Sequence, residues 1–323
     1  MYSEEKTLKK LFKKDINKIA ITLILYDILL MSVYTLYVIV EAAFQMIKNP
    51  KFDVEAFTDS ISRNGKDGVA YLVGIGLGLF LIYALRKKEL FTYDLKVSRR
   101  KMHLKEFVIF LSCFMAPQIL FLLLGNGLES VFNHFGYTIM NDMKNASAGS
   151  NGILMFLYAS FFGPISEEII FRGAILRKLE KHGRVFAIIV SAALFGLFHG
   201  NLVQGIFAAS VGLVLGYVAM EYSIKWSMVL HIINNFIFGD LFLFLTKGMN
   251  ETVTNVIFYA MLVVFTLIAI FFIFKYRKQI AHYLNVYATR NKKKYKYIFT
   301  SVWMIIFILI CLFMAMEGIE KLT

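Results

Sequence analysis

Nine apolar windows of about 20 residues, separated by charged or polar breaks, leave this 323-residue chain few folds to choose from. They lie near 19–40, 69–86, 106–125, 151–170, 185–200, 203–221, 226–246, 254–275 and 298–316. A helix of that length crosses the ~30 Å hydrocarbon core and satisfies its own backbone hydrogen bonds there. The expected fold class is therefore all-α, a polytopic transmembrane helical bundle of about nine spans. A soluble domain of this size would carry more than the 18% charged residues found beside 58% apolar ones. Three prolines and no Pro/Gly/Ser-rich tract leave no linker between soluble domains.

The net charge of +13 arises from 35 basic against 22 acidic residues, and the basic ones cluster between the apolar windows. The positive-inside rule and contact with anionic lipid account for that excess, and no nucleic-acid partner is expected. Lys9, Lys10, Lys13, Lys14 and Lys18 precede a run from Ile19 to about Val40, too long for a signal-peptide core, so a first helix with a cytoplasmic N-terminus is expected. Arg86–Lys88, Lys96–Lys101, Arg177–Arg184 and Lys275–Lys296 are then the other cytoplasmic segments, with the poorly basic loops and the C-terminus outside. The mixed-charge loop at 45–68 fits that alternation least. The polar, turn-rich segment 126–150 reads as a surface loop with a short interfacial helix, and Lys292–Tyr297 as headgroup anchors. Cys113 and Cys311 sit inside apolar runs and read as small hydrophobes, not as a disulfide.

Against this background the ionisable residues at bilayer depth are conspicuous, because a charge there is costly and marks a functional site by default. Ser166-Glu167-Glu168-Ile169-Ile170-Phe171-Arg172-Gly173 carries two carboxylates and an arginine. Adjacent helical residues point about 100° apart, so the two acids face different ways. Glu168 and Arg172, four apart, share a face and can pair, which leaves Glu167 without a local partner and suited to a general base. Pro164, just before the pair, predicts a kink or helix restart. A purely structural charge cluster is the alternative.

His199 ends a second apolar run, and Glu167 and His199 each lie about 15 residues from the basic turn at Lys181–Arg184. At ~1.5 Å per residue both stand roughly 22 Å along antiparallel helices, at one level. Phe195, one turn earlier, packs on the same side. His231 and Asn235 share a face of a third helix and can act as an oxyanion pair or as interhelical hydrogen-bond partners, with Asn234 turned away. His103, His134, His182 and His282 fall at basic segments or in loops and read as solvated.

Glu167-Glu168 with Arg172, Phe195 with His199, and His231 with Asn235 together resemble the Glu-Glu-x-x-x-Arg, Phe-x-x-x-His and His-x-x-x-Asn elements of the type II CAAX prenyl protease family. These are the CPBP or Abi intramembrane endopeptidases, which include bacteriocin-processing members. The resemblance covers residues 150–245 and divides the chain into an N-terminal transmembrane region (1–148), a catalytic core (149–247) and C-terminal transmembrane helices with a basic cytoplasmic loop (248–323). It implies a membrane protease in which Glu167 and His199 activate a water. His231 and Asn235 would stabilise the oxyanion, and Glu168 and Arg172 would support the site. The family is described as both glutamate- and metal-dependent. Glu167, His199 and His231 would be the zinc ligands in the second case, but the absence of a His-Glu-x-x-His favours a mechanism with no cofactor.

The expected enzyme is an intramembrane endopeptidase acting on a membrane-associated peptide or protein. The composition, rich in Lys, Ile, Asn and Phe, looks bacterial, which points to the cell membrane and away from prenylated substrates. Two alternatives remain open. One is a non-catalytic binding or immunity protein on the same fold, acting on a sensor or transporter partner. The other is a transporter using an intramembrane glutamate, although no internal repeat is visible.

Overall fold

The computed structural model describes residues 2–49, 52, 53, 57, 60, 61, 65–147, 149–289 and 291–322, and among them are thirteen α-helices, a short widened helix at Leu90–Asp94 and one two-stranded ribbon. Much of the 45–68 loop and position 148 therefore lie outside the described residues. Helix α1 (Tyr2–Lys48) is 47 residues long, about 70 Å at ~1.5 Å per residue, and extends well beyond one bilayer thickness. There follow α2 (Gly68–Arg86), α3 (Leu104–Met115), α4 (Gln118–His134) and α5 (Met140–Ser147). The central helices are α6 (Gly152–Glu180), α7 (Arg184–Phe198), α8 (Leu202–Glu221) and α9 (Ile224–Thr246). The last are α10 (Glu251–Lys275), α11 (Arg277–Tyr287), α12 (Lys293–Ile298) and α13 (Val302–Glu317).

By length and composition, six helical stretches among the described residues can cross a membrane: those in α1, α3 with α4, α6, α8, α9 and α10. Three shorter apolar helices occupy the other expected windows, at Gly68–Ala84, Arg184–Phe198 and Val302–Glu317. The protein is a helical membrane bundle. Its centre is one apolar cluster joining Phe12 and Leu23 of α1, Phe171 of α6, Phe186 and Phe195 of α7, Leu215 of α8 and Phe307 of α13. The outward side chains of α10, among them Val256, Val264, Leu267 and Phe271, are exposed apolar groups suited to lipid. Helices α7 and α8 cross at glycines: a Cβ on Gly205 would stand 2.9 Å from the Gly196 carbonyl oxygen.

The segment 126–150 departs from its sequence reading. Its asparagines and glycines do not start a loop. Helix α4 continues through Gly125 and Gly127 to His134, because Gly125 faces Met143 of α5 and neither glycine needs a positive φ. Tyr137–Thr138 (β1) then pairs antiparallel with Glu320–Lys321 (β2), tying this region to the far end of the chain. The expected single window at 106–125 is likewise divided, at Ala116-Pro117, into α3 and α4.

Pro164 does not break α6. A widened five-residue turn at Tyr158–Phe162, in which the Gly163 amide bonds to the Tyr158 carbonyl, absorbs it. Two further widened stretches are Ile169–Ile175 in α6, directly after Glu168, and Ile233–Leu241 in α9, separated from His231 by one residue.

The basic segments meet at one end of the bundle. Arg99 bonds to Glu180 and to the Met220 carbonyl, and Arg184 reaches Glu221 at 3.0 Å, which also accepts from Tyr283 at 2.7 Å. Asp15 of α1 faces Lys181 at 2.7 Å, Lys178 at 3.3 Å and His182 at 3.4 Å. His182, expected to be solvated, is instead half-buried, its ring edge-on to Phe12 at 4.9 Å, because α1 packs over the α6–α7 turn. His103, His134 and His282 are exposed.

Candidate active site

Helix α6 presents its two adjacent acids to different surroundings. Glu168 is completely buried and accepts from Arg172 Nη1 at 2.9 Å, the four-residue pairing surviving the widened turn between them. The same Oε1 faces His231 Nδ1 at 3.0 Å. Arg172 is equally buried, and its guanidinium lies over the Phe195 ring at 4.1 Å, so an aromatic face covers the charge that Glu168 does not meet. Space for this guanidinium comes from Gly212 of α8, where a Cβ would stand 3.2 Å from Arg172 Nη2 and 3.1 Å from the Ala192 Cα. The Ser191 hydroxyl donates to the Phe171 carbonyl at 2.8 Å and ties α7 to the widened part of α6.

Glu167 keeps 26% of its side-chain surface exposed, and its Oε2 stands 3.7 Å from His231 Nε2, beyond hydrogen-bonding distance. His231 is thus set between the two carboxylates, one ring nitrogen toward each. Its ring lies 5.9 Å from Phe195, edge to face, and 6.3 Å from Phe114 of α3.

His199, just past the end of α7, has its Nδ1 at 2.8 Å from the Phe195 carbonyl and its ring edge-on to Phe195 at 4.7 Å. A carbonyl only accepts, so Nδ1 carries the proton, and the neutral ring keeps its lone pair on Nε2. Glu167, His231 and Arg172 all lie within electrostatic reach of that ring. One phenylalanine therefore organises the cluster, with His199, His231 and Arg172 each against Phe195. Sequence spacing had joined it to His199 alone.

Asn235 makes an interhelical hydrogen bond, one of the two roles its spacing left open. Its Nδ2 donates to the Ala159 carbonyl at 2.9 Å, and its Oδ1 accepts from Asn234, which in turn accepts from Gln118 of α4 at 3.1 Å. The first bond has a local cause. In a widened turn residue i pairs with i−5, so the amide due to serve Ala159 belongs to residue 164, and proline has none. Asn235 supplies the missing donor and keeps its second N–H for another acceptor.

Sequence reasoning passed over Phe114, Gln118, Ser191, Gly212 and Asp240. Asp240 alone left a readable signal, as an ionisable residue inside an apolar helix. Its carboxylate accepts from the Ser150 amide at 2.8 Å, the Ser150 hydroxyl at 2.6 Å and the Ser160 hydroxyl at 2.6 Å.

Among the described residues no three His, Cys, Asp or Glu side chains cluster closely enough to hold a metal ion. As they stand, Glu167, His199 and His231 are not gathered into a zinc set.

No solved structure matches the chain. A putative membrane peptidase, YdiL of Bacillus subtilis, is 28% identical over 109 residues, covering 32% of this chain and 45% of that protein, so the match spans under half of the relative's length. The segment that carries Glu167, Glu168, Arg172, Phe195, His199, His231 and Asn235, residues 149–237, matches the family described as type II CAAX prenyl endopeptidase Rce1-like.

Proposed function

We propose that the protein is an intramembrane endopeptidase that hydrolyses a peptide bond of a membrane-associated peptide or protein. The observation that carries this reading is the unequal fate of two neighbouring carboxylates. Glu168 is consumed by Arg172 and His231, whereas Glu167 keeps an open side and faces a histidine without bonding to it. A purely structural cluster needs one acid for one arginine; the second, accessible acid is what a base requires.

In the proposed reaction Glu167 takes a proton from a water held between its carboxylate and the Nε2 lone pair of His199. The water oxygen bonds to the scissile carbonyl carbon, and the negative charge moves to the carbonyl oxygen. Glu167, Glu168 and Arg172 sum to one negative charge, so one proton placed in the His231–Glu167 pair neutralises the buried cluster. On His231 Nε2 that proton makes the ring a donor to the oxyanion, and the second N–H of Asn235 is the other donor. Collapse breaks the C–N bond, and the proton held by Glu167 passes to the departing nitrogen. Glu168 and Arg172 hold His231 in place.

The end bearing Arg99, Arg184 and the lysines is assigned to the cytoplasmic face under the positive-inside rule. The test is a paired comparison in the native host. Wild type, Glu167→Ala and His199→Ala are brought to equal membrane levels, and small peptides and membrane-protein termini are profiled by mass spectrometry. The expected result is a product present in wild type and missing from both variants. Identical profiles with the phenotype retained would replace the enzyme by a binding or immunity protein on the same fold.

A further inference from the structure

Three side chains of α9 reach across to α6 and the residues just before it: His231 to Glu167 and Glu168, Asn235 to the Ala159 carbonyl, and Asp240 to Ser160 and Ser150. The first two are four residues apart and share a helical face in any α-helix. The third is nine residues from His231, about 2.5 turns at 3.6 residues per turn, which would put it on the opposite side. What brings it round is the widened stretch Ile233–Leu241, where the amide of Phe242 reaches back to the Ile237 carbonyl, five residues away. With five-residue pairing, the step from Asn235 to Asp240 closes about one turn.

We propose that Asp240 is a positioning residue that holds α9 in register against α6, so that His231 stands opposite Glu167 at the distance the reaction needs. The proposal rests on the peptidase reading for its consequence in turnover, but not for its structural content. Three properties support it. The carboxylate accepts three hydrogen bonds, from the Ser150 amide and hydroxyl and the Ser160 hydroxyl, and charge-assisted bonds of 2.6–2.8 Å are stronger than neutral ones. The Asp240 contact at Ser160 and the Asn235 contact at Ala159 fall on consecutive residues of α6. They pin the widened turn that accommodates Pro164, about two turns before Glu167. And Gly149, beside Ser150, leaves room for the approach: a Cβ there would stand 2.9 Å from Leu243 Cδ1 of α9.

A carboxylate in an apolar helix is costly unless its contacts return the cost, and here hydroxyls and an amide do so. Asp240 thus acts on the histidine through helix register and touches no reacting atom.

The full chain, in lipid nanodiscs with ¹⁵N-labelled histidine, tests this directly. The His231 ring signals are assigned by their loss in His231→Gln. The expected result is that Asp240→Ala shifts the His231 signals and lowers product formation about a hundredfold, in kcat rather than KM, as a displacement of about 1 Å at a catalytic group does. Asp240→Asn, which keeps one acceptor oxygen, should restore both in large part, and Glu251→Ala, at the exposed start of α10, should change neither. Unshifted His231 signals in folded Asp240→Ala protein would overturn the proposal even if product were lost. If Asp240→Ala does not fold, Ser160→Ala decides: a shifted His231 signal supports the proposal, and an unshifted one overturns it. Failure of the peptidase reading is seen separately, as product formation that survives Glu167→Ala, while the His231 signals still report on the register.

Discussion

Two clusters of carboxylates and cations hold α6 in place, and they handle charge in opposite ways. In the interior cluster Glu168 and Arg172 are both fully buried, and His231 bonds to the first while Phe195 packs on the second. In the cluster at the basic end, Asp15 faces two lysines and a histidine whose side chains keep between 13% and 59% of their surface exposed. The same chemical groups are therefore a structural necessity in one place and a screened convenience in the other. In low dielectric an unpaired charge has nothing to replace its partner, whereas near the surface water and salt do. The comparison also explains why a base can exist beside a structural acid. Because Glu168 takes the bond from Arg172, Glu167 keeps an open side.

The largest difference between the clusters should appear on removing one acid from each. Glu168→Ala leaves Arg172 buried without its counter-charge and should cost about 3–5 kcal/mol, visible as loss of folded protein in detergent melts. Replacing Glu168 and Arg172 together by leucine should recover most of that stability while leaving the protein inactive. A double variant as unstable as the single one would contradict the account.

Crowding the buried cation without touching its charge should cost less. Gly212→Val places methyl groups against Arg172 Nη2 and Ala192, and overpacking of this kind costs about 1–3 kcal/mol. A lowered melting temperature with the Phe195–Arg172 contact displaced is the expected outcome, and an unchanged one would show that the guanidinium has room to move.

The basic end should respond to pH in a way that can be followed on one residue. Burial, and then the ammonium groups of Lys294 and Lys181, push the His182 ring below the ordinary imidazole value, with Asp15 acting the other way. The native state therefore binds fewer protons than the unfolded chain. Stability is complete above the ordinary value near 6.5 and is lost as pH falls below it toward the lower native value. Melting curves between pH 7.5 and 5 should show this loss, and His182→Gln should flatten it. A profile unaltered by that change would assign the slope to other groups.

The smallest effect is expected for Lys181→Ala. It removes a 2.7 Å pair whose lysine is 59% exposed and should change stability by no more than about 1 kcal/mol, less at high salt. A salt-independent loss of several kcal/mol would erase the distinction between the clusters.

Much of the interior cluster was legible because α-helical spacing reports neighbours on one helix. Glu168 with Arg172, and His231 with Asn235, are four apart, and ionisable groups in apolar runs are rare enough to notice. Equal depth from the turn at Lys181–Arg184 put Glu167 and His199 at one level; Glu167 lies 3.7 Å from His231, and His199 and His231 both pack on Phe195. Asp240 escaped because nine residues put it on the wrong face under α-helical geometry. The direction of the Asn235 amide escaped because the carbonyl it meets is orphaned by a proline 71 positions earlier in the chain. The helical extension of α4 into 126–134 was hidden by asparagines and glycines, which favour turns on average but are held here by packing against α5.

The amino-acid sequence by itself determined that this chain is a helical membrane bundle, since apolar segments of that length can satisfy their backbone in lipid only as helices. It also determined which polar residues such a bundle has to accommodate. The tertiary structure decided that His231 stands between the two glutamates, 3.0 Å from Glu168 and 3.7 Å from Glu167, and where the Asn235 amide points. It decided too that Asp240 faces the same way as His231. Those outcomes depend on widened turns that shift helical register and on partners contributed by other helices, and neither is encoded in the spacing along any one of them.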